Sequence, residues 1–194
     1  MFAATRRSTS TSRCARAIEV DGAADRERVA TLYDRDDQPD VAEQLRQTPL
    51  VVPDRLVAES EVLDVGGRRV ELRHLGRGHT DHDLVVVVPD AGVVLAGDLV
   101  EEGAPTQFKD AHPLDWPATL DALLAGTTAD TVVPGHGDVV DRHFVRAQRA
   151  VLAELVRRCT EADGAPAGEV AEGLPDLGDF ALEAVRRTFW QLDA

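Results

Sequence analysis

The chain has 194 residues, enough for one domain with a sizeable core, and its length alone gives no reason to expect two. Its apolar fraction of 43% is ordinary and its aromatic fraction of 4% is low, so the core is expected to consist mostly of Val, Leu and Ala. The formal charge of −14 argues against binding to nucleic acid or to an anionic membrane surface, because both require cationic patches.

The cysteine content and the hydropathy pattern bear on the cellular compartment. Cys14 and Cys159 are far apart in the sequence, so they form neither a Cys-x-x-Cys metal motif nor a disulfide framework. No apolar stretch is as long as a membrane span, which needs about 18 to 20 residues. A cytoplasmic location is therefore the simplest interpretation.

The N-terminal segment, residues 1–57, lacks a strong pattern and is expected to be poorly defined or disordered. Its first 17 residues are rich in Arg, Ser and Thr and lack acids, a composition that resembles a transit peptide. A disordered tail or a wrongly assigned start explains them more simply. Within the segment, residues 23–33 and 41–47 are candidates for short helices.

Short apolar runs predict the strands of a sheet. Gly66 and Gly67 separate two β-prone runs, which predicts a hairpin because both turn positions need positive φ. Three further runs are too short for helices and suit strands buried on both faces. The predicted strands are residues 61–65, 68–75, 84–88, 93–96 and 131–133. The expected sheet core is Val62, Val70, Leu72, Val86, Val88, Val94, Leu95, Val132 and Val133.

Helical patterns alternate with the later strands. Residues 117–124 follow an N-cap acid and an early proline, and residues 142–162 carry an apolar stripe at helical spacing. The order of elements indicates an α/β sandwich formed by residues 58–163. Residues 164–194 are expected to be a linker and a terminal helix, which begins at residue 180.

Three short polar segments follow predicted strands, and each contains a residue type that binds metals. They are GHTDHD with His79, GD with Asp98 and PGHG with His136. Sites in α/β proteins lie beyond the carboxyl ends of strands, and imidazole and carboxylate groups suit zinc. We therefore predict that these three side chains meet within about 7 Å, although nearly 60 residues separate the first from the last.

The runs GHTDHDLVVVVPDAGVVLAGDLV and TVVPGHG resemble the metallo-β-lactamase superfamily, over about half of the chain. The resemblance implies a partial αβ/βα sandwich, followed here by C-terminal helices, with a two-metal hydrolytic site. His79 would bind one metal and His136 the other, and Asp98 would bridge them and take part in catalysis. It also implies up to two zinc ions, with iron or manganese as alternatives. The substrate would be a small molecule with an ester, thioester, amide or phosphoester group.

The sequence departs from the superfamily pattern in one respect. Members normally carry His-x-His-x-Asp-His upstream of these motifs, where it supplies two ligands to each metal. The six histidines of this chain are at positions 74, 79, 82, 112, 136 and 143, and the upstream motif is absent. Because catalytic zinc ordinarily has three protein ligands, we expect this chain to bind zinc weakly and to hydrolyse little.

Several interpretations remain open at this stage. His82 and Asp83 either hydrogen-bond His79 or belong to a solvated turn, and His112 either contacts substrate or lies on a surface loop. The hydrolase would be truncated from a longer parent, or completed by a second chain or a homo-oligomer. The rival interpretations are a non-catalytic remnant or pseudoenzyme of the same fold, and a protein-binding module.

Overall fold

The computed structural model describes residues 8–103 and 106–194. The chain forms two compact units, Met1–Ala58 and Glu59–Ala194. In the described parts, no helix has the length and apolar character needed to cross a membrane. The first seven residues, for which a disordered tail was one expectation, lie outside the described residues.

The N-terminal unit is mostly helical. It comprises β1 (Thr9–Thr11), α1 (Ser12–Val20), α2 (Gly22–Arg35), α3 (Pro39–Gln47) and β2 (Arg55–Val57). The two short strands pair in parallel. Helices α2 and α3 confirm the two helices predicted from the sequence, whereas α1 was not predicted.

Alanines explain why the sequence suggested so little order in this unit. The buried residues of the three helices are Ala15, Ala30 and Ala42, one in each helix. A small side chain gives only a weak hydrophobic signal, so these buried positions are difficult to recognise in the sequence. Three helices and two short strands lie within residues 8–57, where the sequence suggested a poorly defined segment.

The C-terminal unit contains one six-stranded sheet whose strands follow chain order. They are β3 (Ser60–Val65), β4 (Arg68–Arg73), β5 (Val85–Val88), β6 (Val93–Gly97), β7 (Thr131–Pro134) and β8 (Val140–Asp141). All neighbours are antiparallel except β6 and β7, which are parallel. The predicted hairpin is confirmed, with φ of 63° at Gly66 and 88° at Gly67. The five predicted strands are present, and β8 is an addition.

Four helices accompany this sheet. They are α4 (Trp116–Gly126), α5 (Arg142–Thr160), α6 (Ala167–Glu172) and α7 (Ala181–Leu192). The side chain of Asp141 caps α5 by accepting a hydrogen bond from the amide of Phe144. The stretch expected to be a linker contains α6 and a 3-10 turn, Pro175–Phe180. Its Val170 and Leu177 belong to the same core as the sheet.

The core side of the sheet agrees with the expected sheet core only in part. Val94 and Val132 are buried as predicted, but Leu95 is 41% exposed and Val62 is 49% exposed. The buried β5 residues are Val85 and Val87. A run of valines has apolar groups on both faces, so alternation cannot say which face meets the helices.

Adjacent residues of β6 test this orientation. Val94 is fully buried, and Leu95 points to the opposite face. We expect Val94→Ala to lower the free energy of unfolding by about 2 kcal/mol and Leu95→Ala, although it removes more atoms, by less than about 1 kcal/mol. Urea unfolding followed by circular dichroism measures both values. A larger loss for Leu95→Ala would reverse the assignment of the two faces.

Candidate metal centre

The three predicted ligands lie together at one edge of the sheet. His79 is in the loop between β4 and β5, Asp98 follows β6 directly, and His136 follows β7. The distance from His79 Nδ1 to Asp98 Oδ2 is 3.9 Å, and that from His136 Nε2 to Asp98 Oδ1 is 3.7 Å. Asp98 therefore lies within reach of both imidazoles.

Gly135 allows Asp98 to lie close to the segment that follows β7. The amide of Gly135 donates a hydrogen bond of 2.9 Å to the carbonyl oxygen of Gly97, where φ is +58°. A Cβ atom on Gly135 would lie 1.7 Å from Asp98 Oδ1, far inside van der Waals contact. Only a residue without a side chain fits here, which explains a glycine directly before His136.

A buried tryptophan supports His79 and the loop that follows Asp98. The ring of Trp116 meets that of His79 edge-on, with centroids 6.0 Å apart. Its Nε1 atom donates to the carbonyl oxygen of Leu99 at 3.1 Å. Gly78 packs against Leu99 and Trp116, since a Cβ atom there would lie 2.4 Å from Leu99 Cδ2 and 3.0 Å from Trp116 Cδ1. One side chain at the start of α4 thus positions two segments of the site.

The remaining candidates have other partners. Asp83 accepts hydrogen bonds from the amide and the hydroxyl of Thr80, at 3.0 and 2.6 Å, and so stiffens the loop that carries His79. The ring of His82 is bonded to Asp81 at 2.8 Å. These contacts position the loop rather than the imidazole of His79 itself.

His112 is half-buried, and its backbone amide donates to the carbonyl oxygen of Gly78 at 2.7 Å. Burial lowers the pKa of the imidazole, and the charges of Arg77 and Arg187 lower it further. Its Nδ1 atom is buried without a hydrogen-bond partner among the described residues. Its backbone therefore supports the His79 loop, and its ring favours the neutral form.

The sequence did not single out Glu101. Its carboxylate, an imidazole nitrogen of His79 and a carboxylate oxygen of Asp98 all lie within 4.8 Å of one another. Glu101 is only 6% exposed, and burial, followed by the negative charge of Asp98, raises its pKa to about 7. The only signal was an acid three residues after Asp98. In the run GDLVEEG, nothing shows which of the two glutamates faces inward.

The raised pKa of Glu101 makes stability depend on pH. Its carboxyl holds a proton in the folded protein up to about pH 7 but loses it near 4.5 when unfolded, so stability falls as pH rises between these values. We expect Glu101→Gln to remove this loss. Between pH 5.5 and pH 8.5, the free energy of unfolding of the variant should rise by about 2 kcal/mol relative to that of wild type.

Urea unfolding of the metal-free protein at the two pH values measures this gain, and Glu102→Gln provides the control. Glu102 is the neighbouring carboxylate and is more exposed. An equal pH dependence in wild type and Glu101→Gln would contradict the effect of burial on Glu101.

A cavity of about 470 Å³ adjoins Glu101. This volume lies within the range of about 300 to 1,000 Å³ that is usual for small-molecule sites. Its walls come from α5 and from the 3-10 turn before α7. They include Phe144, Val151, Leu177 and Phe180. An apolar pocket therefore lies next to the polar cluster.

Comparison with known proteins decides the family. The model of the metallo-beta-lactamase superfamily matches residues 18–136. The chain belongs to this superfamily. The matched region begins well upstream of the motifs that carry the resemblance, and it includes helices of the N-terminal unit.

Alignments with individual members of the superfamily cover fewer residues than the family model does. Metallo-beta-lactamase type 2 of Bacteroides fragilis is 26% identical over 115 residues, which are 57% of this chain and 46% of that protein. The type 2 enzyme of Bacillus cereus is 32% identical over 84 residues, which are 41% of this chain and 33% of the relative. The chain thus spans less than half the length of these curated relatives.

Solved structures of the superfamily share the fold. A metallo-beta-lactamase from Pontibacter korlensis is 28% identical, with a TM-score of 0.50, and covers 53% of this chain and 50% of its own. The metallo-beta-lactamase IND-7 is 20% identical, with a TM-score of 0.56, and covers 76% of this chain and 57% of its own. The expectation of a partial metallo-β-lactamase sandwich is confirmed at the level of fold.

Proposed function

We propose that this superfamily member is a metal-dependent hydrolase in which His79 would bind one divalent ion, His136 would bind a second, and Asp98 would be shared by both. The proposal rests above all on one observation. Residues from three separate loops bring two imidazoles to within 4 Å of a single carboxylate, at 3.9 and 3.7 Å. Zinc is the first candidate, with iron and manganese as alternatives, because the donors are nitrogen and oxygen.

The spacing of the donor atoms fits a shared Asp98, because the two imidazoles face different oxygens of its carboxylate, Oδ2 and Oδ1. Ligands at about 2.0 to 2.2 Å in a tetrahedral arrangement place their donor atoms about 3.4 Å apart. The two observed distances are slightly longer, so small side-chain movements bring the atoms to that spacing. The missing Cβ of Gly135 leaves the space that the Asp98 carboxylate occupies.

A bound divalent ion would supply a Lewis acid that lowers the pKa of water and polarises the bond to be cleaved. The residues of this chain would hold and orient that ion. Asp98 lies between the imidazoles, and Trp116 fixes the ring of His79 from one side. The cavity beside Glu101 is positioned to take an apolar group of a small-molecule substrate.

The substrate belongs to the esters, thioesters, amides or phosphoesters. A β-lactam, which is a cyclic amide, is the first compound to test because the relatives are named metallo-beta-lactamases. A cytoplasmic location and the absence of nucleic-acid and membrane partners are part of the same proposal. Completion by a homo-oligomer or by another chain stays a prediction.

Low activity is also part of the proposal. The 194 residues lack His-x-His-x-Asp-His, so fewer protein ligands are present than a two-metal site of this superfamily uses. The same observation favours a second candidate function, a metal-binding relative without catalysis. The two candidates share the ligand set and differ only in turnover.

Hydrolysis assays separate these two candidates. The zinc-loaded chain is incubated with a chromogenic cephalosporin, a nitrophenyl ester and a bis-nitrophenyl phosphate, with Asp98→Asn as the matched variant. We expect slow turnover of at least one of these compounds. Both metal chelation and the Asp98→Asn substitution should abolish this turnover. Metal binding without turnover would favour the non-catalytic candidate. Turnover that survives in Asp98→Asn would exclude this site as its source.

A further inference from the structure

We propose that Glu101 is a third protein ligand of the ion held by His79 and Asp98. The assignment rests on the proposed metal site and adds to it a residue outside the superfamily motifs that the sequence contains. The carboxylate of Glu101 and the donor atoms of His79 and Asp98 all lie within 4.8 Å of one another. One ion can therefore contact all three groups after small adjustments.

The backbone between the two acids is held firmly. Leu99 and Val100, which separate Asp98 from Glu101, are both completely buried. The carbonyl oxygen of Leu99 accepts hydrogen bonds from Trp116 Nε1 at 3.1 Å and from Gln148 Nε2 at 3.0 Å. The positions of the two carboxylates thus follow from packing in the core and not from a free surface loop.

The buried carboxyl of Glu101 lies close to Asp98, and a bound cation would favour the ionised form of both acids. Glutamate is rarely buried to this extent without a partner, and two neighbouring carboxylates repel each other in a low-dielectric environment. Glu101 accepts hydrogen bonds from the amide of Gln107 and from the side chain of Thr106, both of which are uncharged. A divalent cation between His79, Asp98 and Glu101 compensates both carboxylates.

The adjacent glutamate has a different task and serves as a control. The Oε2 atom of Glu102 accepts a hydrogen bond of 2.6 Å from the amide of Asp138, in the turn after His136. Glu102 is also more exposed than Glu101. Glu101 therefore lies near the proposed ion, whereas Glu102 holds the turn after His136.

With Glu101, the ion at His79 would have three protein ligands, the number usual for catalytic zinc. The sequence alone supplied two for that ion, His79 and the shared Asp98. The weak zinc binding expected from the motifs would then be partly offset by a residue that the fold brings in.

Calorimetric titration with zinc at one pH tests this assignment in the full chain, with Glu101→Gln, Glu102→Gln and His79→Ala as variants. Loss of a residue that merely orients a ligand weakens binding by about 10- to 100-fold, so loss of a ligand should cost at least about tenfold. We expect this loss in Glu101→Gln and in His79→Ala, and a smaller change in Glu102→Gln, whose amide oxygen can still accept the hydrogen bond from Asp138. Thermal unfolding of the metal-free variants checks that each is folded.

Cobalt(II) provides a readout that does not depend on affinity. The visible absorption of the bound cobalt should differ between wild type and Glu101→Gln, because a carboxylate ligand is lost, and it should be unchanged in Glu102→Gln. If Glu101→Gln fails to fold, Glu101→Asp, which retracts the carboxylate, replaces it. Zinc affinity and cobalt spectrum both unchanged in the Glu101 variant, but lost in His79→Ala, would overturn this assignment and leave the proposed function intact. Absence of binding in wild type would overturn both.

Discussion

Replacement of Trp116 by alanine is expected to lower the free energy of unfolding by about 3 to 5 kcal/mol. Trp116 is completely buried and is the largest of the fully buried side chains. Its removal leaves a large cavity at the start of α4 and frees the carbonyl oxygen of Leu99 from one hydrogen bond. The loss also reaches the candidate site, because the ring contacts His79.

The second tryptophan of the chain is a matched control. Trp190 is 56% exposed, and the guanidinium of Arg187 lies 4.2 Å from its ring centroid. Trp190→Ala should therefore cost no more than about 1 kcal/mol. Urea unfolding monitored by circular dichroism allows both variants to be compared without relying on tryptophan fluorescence. Similar losses for the two would mean that Trp116 is not the centre of this core.

Gly135→Ala is expected to weaken zinc binding at least about tenfold, a loss typical of a misoriented ligand. The new methyl group would overlap Asp98 Oδ1, at 1.7 Å, and crowd the amide nitrogen of Asp98, at 2.9 Å. The carboxylate can swing away because Asp98 is partly exposed, but the backbone contact cannot relax so easily. The free energy of unfolding should also fall by about 1 to 3 kcal/mol.

Gly168→Ala provides the comparison for this substitution. A Cβ atom at Gly168 has nothing within 4 Å, and the residue lies in α6. Alanine should be tolerated there and should stabilise the helix by up to about 1 kcal/mol. Calorimetry with zinc and urea unfolding measure both variants. Unchanged zinc affinity in Gly135→Ala would show that the position of Asp98 in the structure is not the one that binds metal.

The strands could be predicted from the sequence because their signals are local. Two glycines between β-prone runs give the hairpin, and short apolar runs give β5, β6 and β7. The direction that each side chain takes is not local. Val94 and Leu95 are both apolar, and only the packing of the helices decides that the first is buried and the second exposed.

The candidate site was predictable to the extent that its residues follow strands. His79, Asp98 and His136 each lie in a short glycine-containing segment, and the sheet brings these segments to one edge. Glu101 follows no strand directly, and its neighbour Glu102 has the same side chain. Burial distinguishes them, and burial depends on Leu99 and Val100 entering the core.

Calorimetric titration of the purified chain with zinc tests most directly the proposal that His79, Asp98 and His136 bind metal. The variants are His79→Ala and His136→Ala, with His143→Ala as the control because His143 is exposed on α5. We predict saturable binding, no tighter than micromolar if the motif residues alone hold the ion. It should weaken at least about tenfold in the first two variants and stay unchanged in the third. Binding that persists in both His79→Ala and His136→Ala, or no binding by the wild-type chain, would contradict the account.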